Sequence, residues 1–168
     1  MLKSSPYILQ FSGLKLGNHS FEFLLEASFF DSCESFGIQK GSGIAKAVLE
    51  KKETMMLLSL TLNATLDVLC DRCNENMSLD VDGHMELIYK FGIEESLDES
   101  LVILPPDSYQ IDMFQPVYEL LVVSLPSRFI HPNDGCNPEV LKFLNTPPTS
   151  QEKKNELDPR WSALNKLN

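Results

Sequence analysis

The sequence predicts an α+β fold, a mainly antiparallel sheet with one principal helix and short C-terminal helices. Three stretches carry that prediction. In "LSLTLNATLDVL" the apolar residues Leu58, Leu60, Leu62, Ala64, Leu66 and Val68 follow a strict period of two, the signature of a strand with one buried face. "MSLDVDGHMELIYKF" alternates in the same way through Met77, Leu79 and Val81, then Met85, Leu87 and Tyr89. "IDMFQPVYELLVVSLPSR" instead spaces Met113, Phe114, Val117, Leu120, Leu121 and Leu125 as one face of a helix.

Taken in order, residues 6–30 alternate imperfectly through "YILQF" and "SFEFLLEASFF", with Gly13, Gly17 and Asn18 placed as turns between strands. "GIAKAVLEKKETMMLLSLTLNATLDVLC" reads as two strands joined at "KKET", and Asp82-Gly83 interrupts the next strand as a bulge would. "EESLDES" at 94–100 is an acidic loop, and Pro105-Pro106 closes the short apolar run "LVILPP". Asp112 can accept from the free amides of the principal helix, Gln115 completes a capping-box pattern, and Pro126 stops the run. "NPEVLKFL" predicts a short helix with Asn137 as cap and Pro138 at its first position. The organisation expected is one domain over 1–145, a polar linker over 146–157 and a helical tail over 158–168. In that tail Asp158 caps, Pro159 starts, and Trp161, Leu164 and Leu167 form an apolar stripe.

Bulk properties narrow the function. The chain has 168 residues, 43% of them hydrophobic and 23% charged, which suits a globular domain with its own core. No apolar run approaches the ~20 residues of a membrane-spanning helix. "MLKSSPYILQF" lacks the long apolar region and small-residue cleavage site of a signal peptide, so a cytoplasmic protein is expected. Fourteen Lys and Arg against 24 Asp and Glu give a net charge of −10. Such a chain repels nucleic acid at long range, so RNA contact needs a local basic patch, and neither DNA nor membrane is an expected partner. The same field attracts basic partners, of which ribosomal proteins are abundant examples.

"LCDRCNEN" places Cys70 and Cys73 in the turn between the two alternating strands, and "RFIHPNDGC" places His131 and Cys136 in the loop after the principal helix. Two ligands from a C-x-x-C turn and two from a distant H-x4-C would complete a tetrahedral zinc site, with no coordination position left open for catalysis. The zinc expected from Cys70, Cys73, His131 and Cys136 is therefore structural. The same spacing is compatible with reduced thiols that hold no metal. Redox chemistry fits poorly, because a thioredoxin-like pair opens a helix and this one precedes a strand. Cys33 in "FFDSCESF" reads as a core or helix-face thiol. GxGxxG, P-loop, HExxH and GxSxG motifs are all missing, and no catalytic residue is assigned.

"CDRC" after an alternating strand, "IDMFQPVYELLVVSLPSRFIHPNDGC" after an acidic loop, and terminal "DPRWSALNKL" occur in that order in the YceD family, which the chain resembles over roughly residues 55–168. Cys70, Arg72 and Cys73 match its C-x-R-C. Asp112, Glu119, Leu125 and Pro126 match its acidic-start helix, His131 and Cys136 its post-helix feature, and Asp158, Pro159 and Arg160 its tail. Asn74, Glu75 and Asn76 depart from the Leu and Pro usual after the second cysteine. The resemblance implies a non-enzymatic ribosome-biogenesis role in the synthesis or accumulation of large-subunit (23S) ribosomal RNA. The expected partner is the pre-ribosomal large subunit, met through RNA or through a basic ribosomal protein that an acidic, chaperone-like surface would escort. An rRNA-processing enzyme is the third reading. Arg72 and Arg128 lie beside the cysteine turn and the returning loop, where two guanidiniums could hold a phosphate or pair with Asp71 or Asp134.

Overall fold

A computed structural model describes residues 7–31, 37–93, 97, 98, 100–132 and 135–145. A five-stranded sheet runs in the order β2 (Gly17–Leu25), β3 (Ile38–Lys51), β4 (Met55–Leu69), β5 (Asn76–Phe91), β6 (Leu101–Leu104). The first four strands are antiparallel neighbours, and β6 lies parallel to β5, with Ile88 opposite Leu101. A two-stranded ribbon of β1 (Ile8–Gln10) and β7 (Gln110–Asp112) leads into the principal helix α2 (Phe114–Ser124). A short turn of helix, α1 (Ala27–Phe30), follows β2, and α3 (Pro138–Asn145) ends the described chain. Among the described residues no helix is long and apolar enough to cross a membrane. The architecture is α+β with a mainly antiparallel sheet. The segments read as linker and C-terminal tail, and Cys33, lie outside the described residues.

β4 is the centre of the sheet, and its alternation is realised residue for residue. Leu58, Leu60, Leu62, Ala64, Leu66 and Val68 are buried, while Asn63, Thr65 and Asp67 are exposed. Burying each such aliphatic side chain contributes on the order of 1.5–3 kcal/mol, enough to fix the register against a one-residue slip. Against this face pack α2, through Val117, Leu120 and Leu121, and an aromatic cluster in which Phe29 lies 5.3 Å from both Phe30 and Phe114, centroid to centroid. The ribbon joins the same layer: Leu9 is fully buried, and the Met113 amide donates to the Tyr7 carbonyl at 2.7 Å.

Three local expectations change. "EASFF" continues no strand. Phe29 and Phe30 are both buried, which a strand would forbid by sending them to opposite faces, and the helical turn of α1 turns both inward. Gly83 makes no bulge: β5 runs through it in unbroken register, with Leu62 opposite Gly83 and Asn63 opposite Asp82. The glycine is required because α2 crosses above it, and a Cβ there would meet Ser124 Oγ and come within 2.9 Å of Leu120 Cδ1. The irregular register lies instead in β3, between Ile38 and Lys40. At the start of α2 the Asp112 carboxylate accepts from the Phe114 amide at 2.9 Å, but Gln115 reaches forward to Glu119 at 2.6 Å, so no capping box closes. Pro116 sits in the first turn, whose amides have no helical partner to lose.

Tyr89 is almost fully buried on the inner face of β5, opposite Met56, and its hydroxyl has no hydrogen-bond partner among the described residues. Burial, with the nearby Glu119 charge, pushes its phenol up to about 12. Removing an unsatisfied buried hydroxyl is neutral or favourable, so Tyr89→Phe is expected to raise stability in urea by up to about 1 kcal/mol. The folded phenol binds its proton more tightly than the unfolded one, so its contribution is complete below pH 10 and is lost as pH rises towards 12. The gap between variant and parent should therefore widen across that window. Gly83→Ala is expected to lower stability by about 1–3 kcal/mol in the same assay, because Leu120 must move aside.

Candidate metal centre

Cys70 follows the last residue of β4, and the chain reverses through Asp71, Arg72 and Cys73 before β5 begins. The reversal needs one left-handed residue, supplied by Asn74 at φ 58°, which asparagine tolerates better than most side chains. The Asn74 amide donates to the Cys70 carbonyl at 2.8 Å, and the Cys70 amide to the Glu75 carbonyl at 2.9 Å. The turn thus points both sulfurs to one side, as a C-x-x-C metal turn must.

The returning loop begins where Pro126 forces Leu125 out of the helical region. It is held to the turn by two reciprocal bonds: the Asp71 amide donates to the Phe129 carbonyl, and the Phe129 amide to Asp71 Oδ2, each at 2.7 Å. Beyond Cys136, Asn137 makes two further contacts. Its Oδ1 accepts from the Glu139 amide at 2.9 Å and starts α3, while its Nδ2 donates to Glu75 Oε1 at 2.7 Å. Met77, Val140 and Leu141 cover the cysteines with apolar surface.

All four predicted side chains meet. The Sγ atoms of Cys70, Cys73 and Cys136 and a ring nitrogen of His131 lie within 4.8 Å of one another. Cys70 Sγ is 3.7 Å from Cys136 Sγ, and His131 Nδ1 is 3.4 Å from Cys73 Sγ and 3.8 Å from Cys136 Sγ. A regular tetrahedron built on zinc bond lengths would separate two sulfurs by about 3.8 Å, and a sulfur from a nitrogen by about 3.6 Å. These three separations agree, and the three cysteines are buried free thiols. Burial pushes the Cys70 thiol up. Hydrogen bonds from the backbone of Cys73, Arg72 and His131 and from the Cys73 side chain outweigh it, lowering the thiol to about 6. Burial raises Cys136, as do the neighbouring Cys70 and Cys73 thiols. The group therefore fits a metal that takes soft sulfur and imidazole ligands, and a Cys3His set favours zinc.

Arg72 and Arg128, both exposed, line one surface depression beside this centre, together with Asp71, Ile130 and Leu144. The carboxylate of Asp71, one of the acids that the sequence offers as a partner for an arginine, accepts from the Phe129 amide through Oδ2. Asp134 lies outside the described residues. The supports Phe129, Glu75 and Asn137 gave no signal in the sequence beyond the capping role of Asn137. They act through backbone groups, and through pairs 58 and 62 residues apart.

A long antiparallel hairpin clipped at its turn to a post-helix loop by a three-cysteine, one-histidine cluster defines an α+β domain with a candidate structural metal centre. The family model described as "Large ribosomal RNA subunit accumulation protein YceD" matches residues 58–168, more than half of the chain and both halves of the cluster. The chain belongs to the YceD family. No curated protein and no solved structure matches it.

With zinc bound, the purified chain is expected to carry a single metal ion by elemental analysis, and Cys73→Ser or Cys136→Ser to lose it. Zinc at about a thousandfold over its Kd should raise unfolding free energy by about 4 kcal/mol in the parent, and by far less in either variant. Acidification should release the metal, because thiolates and imidazole must be deprotonated to bind it.

Proposed function

We propose that this chain is a non-enzymatic ribosome-biogenesis factor supporting the synthesis or accumulation of large-subunit ribosomal RNA, and that its metal centre is a structural zinc site. Membership of the YceD family supports the role. The observation that carries the mechanism is that Arg72 and Arg128 line one depression against the clip, on a chain whose net charge is −10. Zinc held by Cys70, Cys73, His131 and Cys136 would supply cross-linking and no open coordination position, so it fixes a surface and takes part in no reaction. On that surface two guanidiniums form a small cationic spot able to fork onto phosphate oxygens. The acidic remainder rejects RNA in general, so binding depends on this spot and on the RNA shape that reaches it.

The partner in this reading is a large-subunit precursor in the cytoplasm. Cross-linking in growing cells followed by recovery of the tagged chain is expected to return large-subunit precursor RNA. Arg72→Glu with Arg128→Glu should lower that recovery about tenfold or more, since each charged hydrogen-bonding group lost costs roughly 1.5–3 kcal/mol. In purified components the same change should reduce the slope of log affinity against log salt by about 1 to 2. Recovery of no ribosomal component from the parent would sink the assembly role.

A further inference from the structure

Helices α1 and α2 and the β1–β7 ribbon pack on the inner face of the sheet, where Gly83 meets Leu120 and Phe30 lies under Gly41. Among the described residues nothing covers the outer face. There Leu24, Ile44 and Val48 are 65%, 37% and 40% exposed, more apolar surface than a solvated sheet face needs. The register places Glu50, Leu57 and Ile88 in one cross-strand row and Val48, Ser59 and Glu86 in the next. These six side chains line a trough with an apolar floor and a carboxylate on either side. From it, the outward positions of β5 continue through His84 to Asp82 and Asp80. The trough lies about 12 residues of strand from the cysteine turn, roughly 40 Å along β4.

We propose that this face, from the Val48–Leu57–Ile88 trough along the carboxylates of β5, docks an extended lysine- or arginine-rich segment of a partner protein. Extended chains place every second side chain on one side, about 6.8 Å apart. Asp80, Asp82 and Glu86 share that spacing, at intervals of two and four residues. A segment whose side toward the sheet carries an apolar residue among cations, at every second position, would seat that apolar side chain on Leu57 and Ile88 and its cations on the flanking acids. RNA is disfavoured because its phosphates would face these carboxylates. A second copy of the chain is disfavoured because a two-fold contact would set acid against acid. The face also carries exposed cations of its own, Lys40 and Lys90 at outward positions of β3 and β5 and two held in ion pairs, Lys46 on Glu22 at 3.3 Å and Lys52 on Glu50 at 3.2 Å. Such solvent-exposed pairs contribute little and are readily exchanged for a partner's cation. The inference rests on the assembly reading only in that ribosomal proteins supply basic segments of this kind.

Fluorescence anisotropy on the full chain tests it, using labelled short peptides in which every second residue alternates lysine with valine, or lysine with glycine, and the intervening residues are serine. The lysine–valine peptide is expected to bind more tightly than the lysine–glycine peptide, and more weakly as salt rises. The triple variant Asp80→Asn, Asp82→Asn, Glu86→Gln should weaken both about tenfold at low salt. Leu57→Ser should weaken only the lysine–valine peptide, by about threefold to tenfold. Melting curves check that each variant is folded. Equal binding of the two peptides, or unchanged binding by the variants, would each overturn the proposal. Loss of peptide binding with ribosomal RNA still recovered from cells removes this face alone, whereas the reverse pattern removes the assembly role and leaves the docking surface standing.

Discussion

One constraint orders this molecule: the central strand must bury every second side chain over most of its length. Six alternating positions of β4, from Leu58 to Val68, are closed to solvent, and both neighbouring strands are paired to it through that stretch. A shift of one residue would exchange the buried leucines for Ser59, Thr61 and Asn63. With the register fixed, Gly83 comes to lie under α2, and the helix approaches the sheet closely enough for Leu120 and Leu121 to be buried. The reversal at Cys70–Cys73 is placed by the same pairing, because it closes the β4–β5 hairpin.

The clip extends that order to the far side of the helix. Closing a loop of about sixty residues has an entropic cost that grows only slowly with length, so a few good bonds can hold it. The reciprocal Asp71–Phe129 pair supplies two of them and orients the backbone on either side of the cluster. Asn137 adds a third, joining the cap of α3 to Glu75 in the turn. A metal at the centre would add its binding free energy to folding, since no such ligand set exists in the unfolded chain. In this geometry the sulfurs and imidazole bring the hairpin turn and the post-helix loop to one place.

Charge is divided along the hairpin. Arg72 and Arg128 share a depression at the clipped end, while Glu50, Glu86, Asp82 and Asp80 face outward along the bare side of the sheet. The two ends lie several Debye lengths apart at physiological salt, so they act on a partner almost independently. The proposed contacts with phosphate and with a partner's lysines would therefore fall at different places on the molecule.

Periodicity alone determined β3, β4, β5 and the core of α2, because a period of two or of 3.6 reports which face is buried whatever covers it. The cysteine spacing likewise named all four members of the cluster, since ligand chemistry narrows the residue types so sharply. What the sequence left open depends on contacts between distant segments. "EASFF" turns helical because two adjacent phenylalanines must enter one core, and Gly83 stays in a regular strand because a helix crosses it. The parallel placement of β6, the ribbon joining β1 to β7, and the seating of Phe129 on Asp71 carry no periodic trace. They are backbone pairings, in which side-chain identity has little say, so only the tertiary structure could decide them.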